Sequence, residues 1–174
     1  MNQWIFLIYF SLVGVAAANS QVAFLEIYDS HGKLVQYEPG SRFGHVALKV
    51  GNFWLQSSPY EGVQLITWEQ LQKFGVVAEV LPLQKEFSQS EIALYLGLPF
   101  DHHYSWSDQA FYCSELLAKL LKIKPEPMQF NHQVWPESFW HLEGQPGMSP
   151  DKIYWKIKGT VIKVDERAFE NSRP

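Results

Sequence analysis

The sequence predicts a single domain that mixes short strands with a few helices. Three observations support this. The chain has 174 residues, which is enough for one domain with a real core. Strand-like runs separated by turn residues fill its first half, and capping boxes with a leucine-rich helical pattern follow. There is no internal repeat or low-complexity tract, so we expect one domain over residues 19–174. The sequence predicts no particular oligomeric state.

The first residues have the composition of a secretory leader. Residues 1–18 carry no charged side chain, Trp4 to Val15 is apolar, and Ala16-Ala17-Ala18 fits a small-residue cleavage site. We therefore predict a signal peptide over residues 1–18 and an exported protein, periplasmic or secreted. An uncleaved anchor is the alternative, although about 15 apolar residues are short for a span. No stable membrane span is expected after cleavage.

Charge and composition argue against a nucleic-acid partner. The net charge is −4, and no basic stripe runs along the chain. His102 and His103 do not form a metal pair, because neighbouring residues of an extended segment point apart and no carboxylate or cysteine lies at ligand spacing. No glycine-rich phosphate loop is present. We expect neither a cofactor nor a metal.

Five runs in the chain resemble strands. Gly51-Asn52 lies between two of them, and glycine at the first central position suits a type II′ hairpin turn. The last run is interrupted at Gly159, and the charged tail from Asp165 is expected to be loose. The predicted strands cover residues 22–28, 43–50, 53–58, 76–83 and 153–164, with a return strand over 33–37.

Helix starts are marked by capping boxes. Thr67 with Gln70 opens a short helix to about Phe74, and Ser88 with Glu91 opens another to about Leu96. A third helix covers residues 113–123, since the prolines at 125 and 127 cannot continue it. One further helical turn is expected over residues 137–142.

Cys113 is the only cysteine and opens the third helix. With Leu116, Leu117, Leu120 and Leu121 it forms an apolar stripe at helical spacing. In the first turn of a helix, the dipole and the free backbone N–H groups favour the nucleophilic thiolate. An unpaired cysteine in an exported protein is also a candidate reactive thiol. The alternative is that Cys113 is a small buried core residue.

The hairpin over residues 43–58 has one apolar face. With Gly51 and Asn52 as the turn, Val50 lies opposite Phe53 and Leu48 opposite Leu55, and this face should pack inward.

The other hairpin face carries His45. Ser58 lies directly opposite it, and Gln56 is its diagonal neighbour, within reach of a long side chain. We expect this face to be free to meet the helix of Cys113. A cysteine hydrolase needs a thiolate nucleophile, an imidazole that moves the proton, and a polar group that orients the ring. Cys113, His45 and Gln56 are candidates for these roles, with Ser58 as the competing orienter. The alternative for His45 is an edge histidine that is hydrogen-bonded to its neighbours without a catalytic role. The alternative for Gln56 is an ordinary polar surface residue.

Several short motifs in this order resemble a known family. They are Phe43-Gly44-His45-Val46-Ala47-Leu48, Phe53-Trp54-Leu55-Gln56-Ser57-Ser58 with Glu61-Gly62-Val63, Leu98-Pro99-Phe100-Asp101 with Tyr104, and Tyr112-Cys113-Ser114-Glu115-Leu116. Together they resemble the circularly permuted branch of the NlpC-type papain-like cysteine hydrolases, the YiiX-like proteins. In that branch the histidine strand precedes the cysteine helix, as it does here. The resemblance covers roughly residues 40–122.

The resemblance implies an α+β, papain-like fold in which a nucleophile-bearing helix packs against a small antiparallel sheet. It implies Cys113 as nucleophile and His45 as base, with Gln56 at the third polar position, where relatives often carry a carboxylate. The Cys113 backbone N–H is the natural first oxyanion donor. We expect Asp101 to buttress the loop before the helix, and Glu115 to point away from Cys113 and contribute only ordinary capping electrostatics.

The function predicted on these grounds is a cysteine hydrolase that acts on an amide, ester or thioester. Its substrate is a peptide, a peptidoglycan fragment or an acyl lipid. A catalytically silent binding module that keeps the fold is the rival hypothesis, supported by the neutral amide of Gln56. A third is an interaction protein in which Cys113 belongs to the core. The enzyme requires an accessible thiol of low pKa, whereas the others predict an inert one.

Overall fold

The computed structural model describes residues 20–159, and the predicted leader and tail lie outside this range. The described strands are β1 (Gln21–Glu26), β2 (His45–Val50), β3 (Phe53–Ser58), β4 (Gly62–Ile66), β5 (Val76–Pro82), β6 (Glu126–Pro127) and β7 (Pro146–Gly147). The first five form a central antiparallel sheet, in the order β4-β3-β2-β1-β5. The two short strands β6 and β7 pair separately.

Within residues 20–159, four α-helices and one 3-10 helix accompany the strands. Both predicted capping boxes are present. Thr67 and Gln70 form reciprocal side-chain-to-backbone hydrogen bonds ahead of the helix that begins at Trp68. Ser88 and Glu91 do the same ahead of the helix that begins at Gln89. The predicted turn at Glu137–Leu142 is a 3-10 helix. The α-helices are α1 (Trp68–Leu71), α2 (Gln89–Ala93), α3 (Cys113–Leu120) and α4 (residues 150–159). None of the helices within residues 20–159 is long and apolar enough to cross a membrane.

The sheet buries apolar side chains on both faces. On one face, β-strand residues such as Val46, Leu48 and Leu55 belong to a core shared with α3 and α4. On the other face, Ala47 and Trp54 pack in a smaller cluster with α1. The predicted hairpin register is confirmed, since Val50 pairs with Phe53 and Leu48 with Leu55. The inward packing of the apolar hairpin face is also confirmed.

The strand predicted over residues 153–164 is wrong where the structure describes it. Residues 150–159 form α4, and residues 160–164 lie outside the described range. Ile153, Tyr154 and Ile157 are all buried. Their i, i+1, i+4 spacing fits one side of a helix, so packing against the core follows the helical period rather than alternation. Residues 33–37 contribute only an isolated bridge between Tyr28 and Leu34, and β4 was not foreseen.

Candidate active site

Cys113 is the first residue of α3, as the sequence predicts. Both of its neighbours in the chain are bound to the same peptide segment. The Tyr112 hydroxyl accepts the backbone N–H of Met148 at 3.0 Å, and the Ser114 hydroxyl donates to the Met148 carbonyl at 2.8 Å. These two bonds fix the backbone on each side of the thiol, and they give Tyr112 a positioning role that the sequence did not reveal.

The residue that leads into this segment, Phe111, is anchored as well. Its carbonyl accepts the Ser57 hydroxyl at 2.5 Å, and its N–H donates to the Pro99 carbonyl at 3.0 Å. Ser57 is fully buried on β3, so the sheet itself holds the chain entering α3. The start of α3 is therefore attached to the sheet and to the loop before α4.

His45 is the first residue of β2 and is buried. Its ring stacks on Phe74 with the ring centroids 5.3 Å apart. Gly44 precedes it, and a Cβ there would lie 2.7 Å from side-chain atoms of Ile27 and Tyr37, so only glycine fits without displacement. The approach of the chain to His45 is thus fixed by close packing.

Asp151 on α4 holds the loop before His45. Its carboxylate oxygens accept the backbone N–H groups of Arg42 at 2.8 Å and Phe43 at 2.9 Å. Burial raises the pKa of this carboxyl, and the two N–H donors oppose that shift. Sequence reasoning missed Asp151, because the contact spans more than 100 residues and no local pattern marks it.

Gln56, and not Ser58, contacts the imidazole. The Gln56 Oε1 atom lies 2.6 Å from His45 Nε2. The Ser58 hydroxyl instead accepts from the Glu61 backbone and the Gln64 side chain. With Oε1 as acceptor, His45 carries its hydrogen on Nε2, which leaves Nδ1 as the basic nitrogen. The Gln56 Nε2 atom is buried and has no hydrogen-bond partner within the described residues.

The sequence predicted that the hairpin face of His45 meets the helix of Cys113, and this prediction is wrong. α3 packs on the Val46 and Leu48 face of the hairpin, whereas His45 belongs to the opposite face. Cys113 and His45 nevertheless line one cavity, and each is the first residue of its element. Among the hydrogen bonds found in residues 20–159, none joins the thiol to the ring.

Burial determines the electrostatics of both groups. It raises the pKa of the Cys113 thiol to about 11, and the backbone N–H groups of Val46 and Ser114 oppose that shift. It lowers the pKa of His45 to about 4, with the bond to Gln56 acting the other way. At pH 7 the pair therefore rests as neutral thiol and neutral imidazole. This runs against the low thiol pKa expected from the helix position alone.

The cavity has a volume of about 410 Å³, within the range of ligand sites. Most of its wall is apolar or aromatic. Tyr104 lies at the centre of the aromatic part, with ring centroids 5.1 Å from both Tyr112 and Trp135 and 5.8 Å from Phe139. Its φ of 50° is unusual for a residue other than glycine. Burial raises the pKa of its hydroxyl, with the nearby Cys113 as a further cause.

Much of the aromatic part of the wall comes from residues 124–151, for which the sequence predicted only one helical turn. Trp135 packs on Tyr37, Phe130 and Phe139, and its indole N–H donates to the Tyr37 carbonyl at 2.8 Å. The available signal was the aromatic-rich composition of residues 124–151. Composition alone did not indicate that these rings face the thiol.

Two acidic residues near the site behave differently from each other. Asp101 buttresses the loop before α3, as predicted, since it accepts the His103 N–H and the Ser105 hydroxyl, both at 2.8 Å. Glu115 is fully buried, which corrects the expectation of ordinary capping electrostatics. It accepts the Ser107 N–H at 3.1 Å and lies 3.2 Å from Lys119 Nζ. Burial raises its pKa to about 8, and Lys119 opposes that shift.

Comparison with known proteins identifies a fold. No family model matches the chain, and no curated protein matches its sequence. Among solved structures, the chain is similar to one described as metalloprotein yiiX from Escherichia coli O157:H7, DUF1105. Sequence identity is 18%, the match covers 78% of this chain and 91% of the other, and the TM-score is 0.56. The chain thus has an α+β, YiiX-like fold.

That neighbour is described as a metalloprotein, and a metal site in this chain would need a group of ligand side chains. Over residues 20–159, no group of three or more His, Cys, Asp or Glu side chains is arranged to hold a metal ion. Cys113 and His45 share the cavity with one carboxylate, that of Glu38, which is paired with Lys152 at 3.0 Å. Among the described residues, this donor set does not fit a resident metal.

Proposed function

We propose that this chain is a cysteine hydrolase of the permuted NlpC, papain-like type, exported after removal of residues 1–18. One observation carries the proposal: Cys113 and His45, each the first residue of its element, line the same cavity, and Gln56 binds the far nitrogen of the imidazole. A nucleophile, a base and an orienting group are thereby gathered at one site.

The proposed reaction begins from the neutral pair. His45 Nδ1 removes the thiol proton as Sγ bonds to the acyl carbon, and the carbonyl π electrons move to oxygen. When the carbonyl reforms, the bond to the leaving group breaks, and the imidazolium returns the proton to the departing nitrogen, oxygen or sulfur. Water then attacks the thioester with His45 as base, which releases the carboxylic acid and restores the thiol.

Two further groups support these steps. The Cys113 N–H lies in the first turn of α3, where helical N–H groups lack helical acceptors, and it is suited to bind the oxyanion. Gln56 keeps the hydrogen on Nε2 and accepts from the imidazolium that forms. Since an amide supports that positive charge less than a carboxylate does, we expect turnover below that of a Cys-His-carboxylate site.

Trapping of the acyl-enzyme tests the proposal. Incubation with p-nitrophenyl acetate and p-nitrophenyl octanoate should add one acyl mass to the protein at Cys113, located by peptide mass spectrometry, followed by its decay. Cys113→Ala should show neither the adduct nor p-nitrophenol release above the buffer rate. Acylation at other side chains only, with equal release by Cys113→Ala, would contradict the proposal.

A silent binding module is the second candidate, and specific observations favour it. Burial keeps both Cys113 and His45 neutral, and no hydrogen bond links them within the described residues. In that case the cavity would bind a ligand without a covalent step. The trapping experiment separates the two, because a binding module leaves the mass of the protein unchanged.

A further inference from the structure

The cavity beside Cys113 offers a ligand almost no free charge. No lysine or arginine lines it among the described residues, and Glu38 is its one carboxylate. That carboxylate is already engaged, since Lys152 Nζ lies 3.0 Å from it and also donates to the Pro127 carbonyl at 2.7 Å. A substrate with ammonium or carboxylate groups would have to bury them without partners, which is costly.

Three hydroxyls in the wall are already bound to the protein backbone. Ser57 and Ser114 donate to the carbonyls of Phe111 and Met148, and the Tyr112 hydroxyl accepts the Met148 N–H. The two serines therefore have no hydrogen left to donate to a bound peptide. A peptide backbone that lost its water here would leave N–H and C=O groups unpaired.

The remaining wall is suited to hydrocarbon. Ile27 and Phe74 line the cavity near His45, and Met128 and Phe130 line another part of it. Met128 is flexible and buried, and it packs so closely on Gly147 that a Cβ there would lie 2.3 Å from its Cγ. Tyr60 belongs to the same lining and is 93% exposed, so it marks the open side of the cavity.

From this wall we infer that the cavity receives an aliphatic chain, which makes fatty acyl amides, esters or thioesters the substrate class and excludes charged stem peptides. The inference rests on the proposed function for the covalent step. The binding of the chain depends only on the cavity. In the complex, the chain lies along the apolar wall while its carbonyl carbon is placed at Cys113 Sγ.

The test uses N-alkyl iodoacetamides with two, four, six and eight carbons, which react with Cys113 without any turnover. Their alkylation rates at pH 9 should rise with chain length, by about fourfold per buried methylene. N-acetylcysteine serves as the free-thiol reference and should show no such trend. A protein profile as flat as that of N-acetylcysteine would overturn the inference.

Two variants locate the effect. Met128→Ala enlarges the cavity and should move the steepest rise toward longer chains. Leu94→Ala, at an exposed leucine that does not line the cavity, should keep the wild-type profile. If Leu94→Ala shifts the chain-length profile as much as Met128→Ala does, the alkyl chain binds on the outer surface and the inference fails.

A direct binding measurement guards against misfolding of Met128→Ala. Cys113→Ala should bind N-octylacetamide in a calorimetric titration and should bind N-acetyl-alanyl-glutamate at least tenfold more weakly. The reverse preference would overturn the inference. Alkylation that depends on chain length, without any acyl-enzyme, would contradict the proposed hydrolase but support the aliphatic site. An acyl-enzyme together with a flat chain-length profile would support the hydrolase but contradict the aliphatic site.

Discussion

The nucleophile and the base of this site are held in different ways. Cys113 is bracketed by backbone anchors, since Tyr112, Ser114 and Phe111 are each bonded to another segment. The backbone before His45 is also anchored, by Asp151, but the orientation of the His45 ring depends on packing against Phe74 and on one side-chain bond to Gln56. Several bonds of comparable strength share the positioning of the thiol, whereas a single amide decides the tautomer of the ring. Substitutions near His45 should therefore change activity most, and those near Cys113 should change stability.

Removal of the base should have the largest effect. We expect His45→Ala to lower acyl-ester hydrolysis at pH 7 by about 10²- to 10⁴-fold, the usual contribution of a general base. Because the pKa of Cys113 is raised to about 11, little thiolate exists at pH 7 unless His45 takes the proton. Near pH 11 the thiolate forms without a base. Iodoacetamide alkylation of the variant at that pH should therefore match the wild type.

The wild-type alkylation curve provides the matching control. Its midpoint should lie above the free-cysteine value of about 8.5, since burial opposes the charged form. A midpoint well below 8.5 that rises in His45→Ala would show a preformed thiolate–imidazolium pair. That result would contradict the neutral pair and restore the expectation drawn from the helix position.

Loss of the single bond to the ring should have the next largest effect. Gln56→Ala should reduce hydrolysis by about 10- to 100-fold, because the bond that selects the Nε2–H tautomer disappears. Ser58→Ala is the matched control on the same face of β3. It should stay within about twofold of wild type, since its hydroxyl contacts Glu61 and Gln64 instead.

A carboxylate at the same position sharpens this test. Gln56→Glu should raise the pKa of His45 from about 4, since a negative charge beside the ring favours the imidazolium. NMR titration of the ring protons measures that shift directly. A titration identical to wild type, together with full activity of Gln56→Ala, would show that Gln56 does not orient the ring.

Local rules predicted much of the fold. The register of β2 and β3 followed from the Gly51-Asn52 turn, and it correctly placed Gln56 beside His45. Both capping boxes and the start of α3 at Cys113 also followed from short-range patterns. These features depend on residues a few positions apart, so the sequence contains the information that determines them.

Features that depend on distant segments escaped prediction. The face of the hairpin that receives α3 is set by the whole core, and the sequence argument chose the wrong face. Glu115 is buried because the loop at Ser107 folds over it, which its position in α3 does not reveal. The neutral state of Cys113 likewise comes from burial by the surrounding segments, whereas the helix dipole alone suggested a thiolate.

The smallest effect on activity is expected at Ser114, on the well-anchored side. Ser114→Ala removes the 2.8 Å bond to the Met148 carbonyl in a buried position, which should lower the free energy of unfolding by about 1–2 kcal/mol. Ser90→Ala, which removes an exposed hydroxyl bonded to Ser88, is the control and should change it by less than about 0.5 kcal/mol. Urea unfolding measures both values.

Hydrolysis by Ser114→Ala should fall less than about tenfold, because the Tyr112 hydroxyl still holds the Met148 N–H and keeps Cys113 in place. The Ser114 hydroxyl also lies beside the thiol and opposes the rise in the pKa of Cys113 that burial causes, but its one hydrogen cannot serve the Met148 carbonyl and the thiolate together. A loss of activity as large as that of Gln56→Ala, at unchanged stability, would therefore show that Ser114 acts on the thiol. The nucleophile would then depend on one side chain as much as the base does, and the contrast between the two halves of the site would not hold.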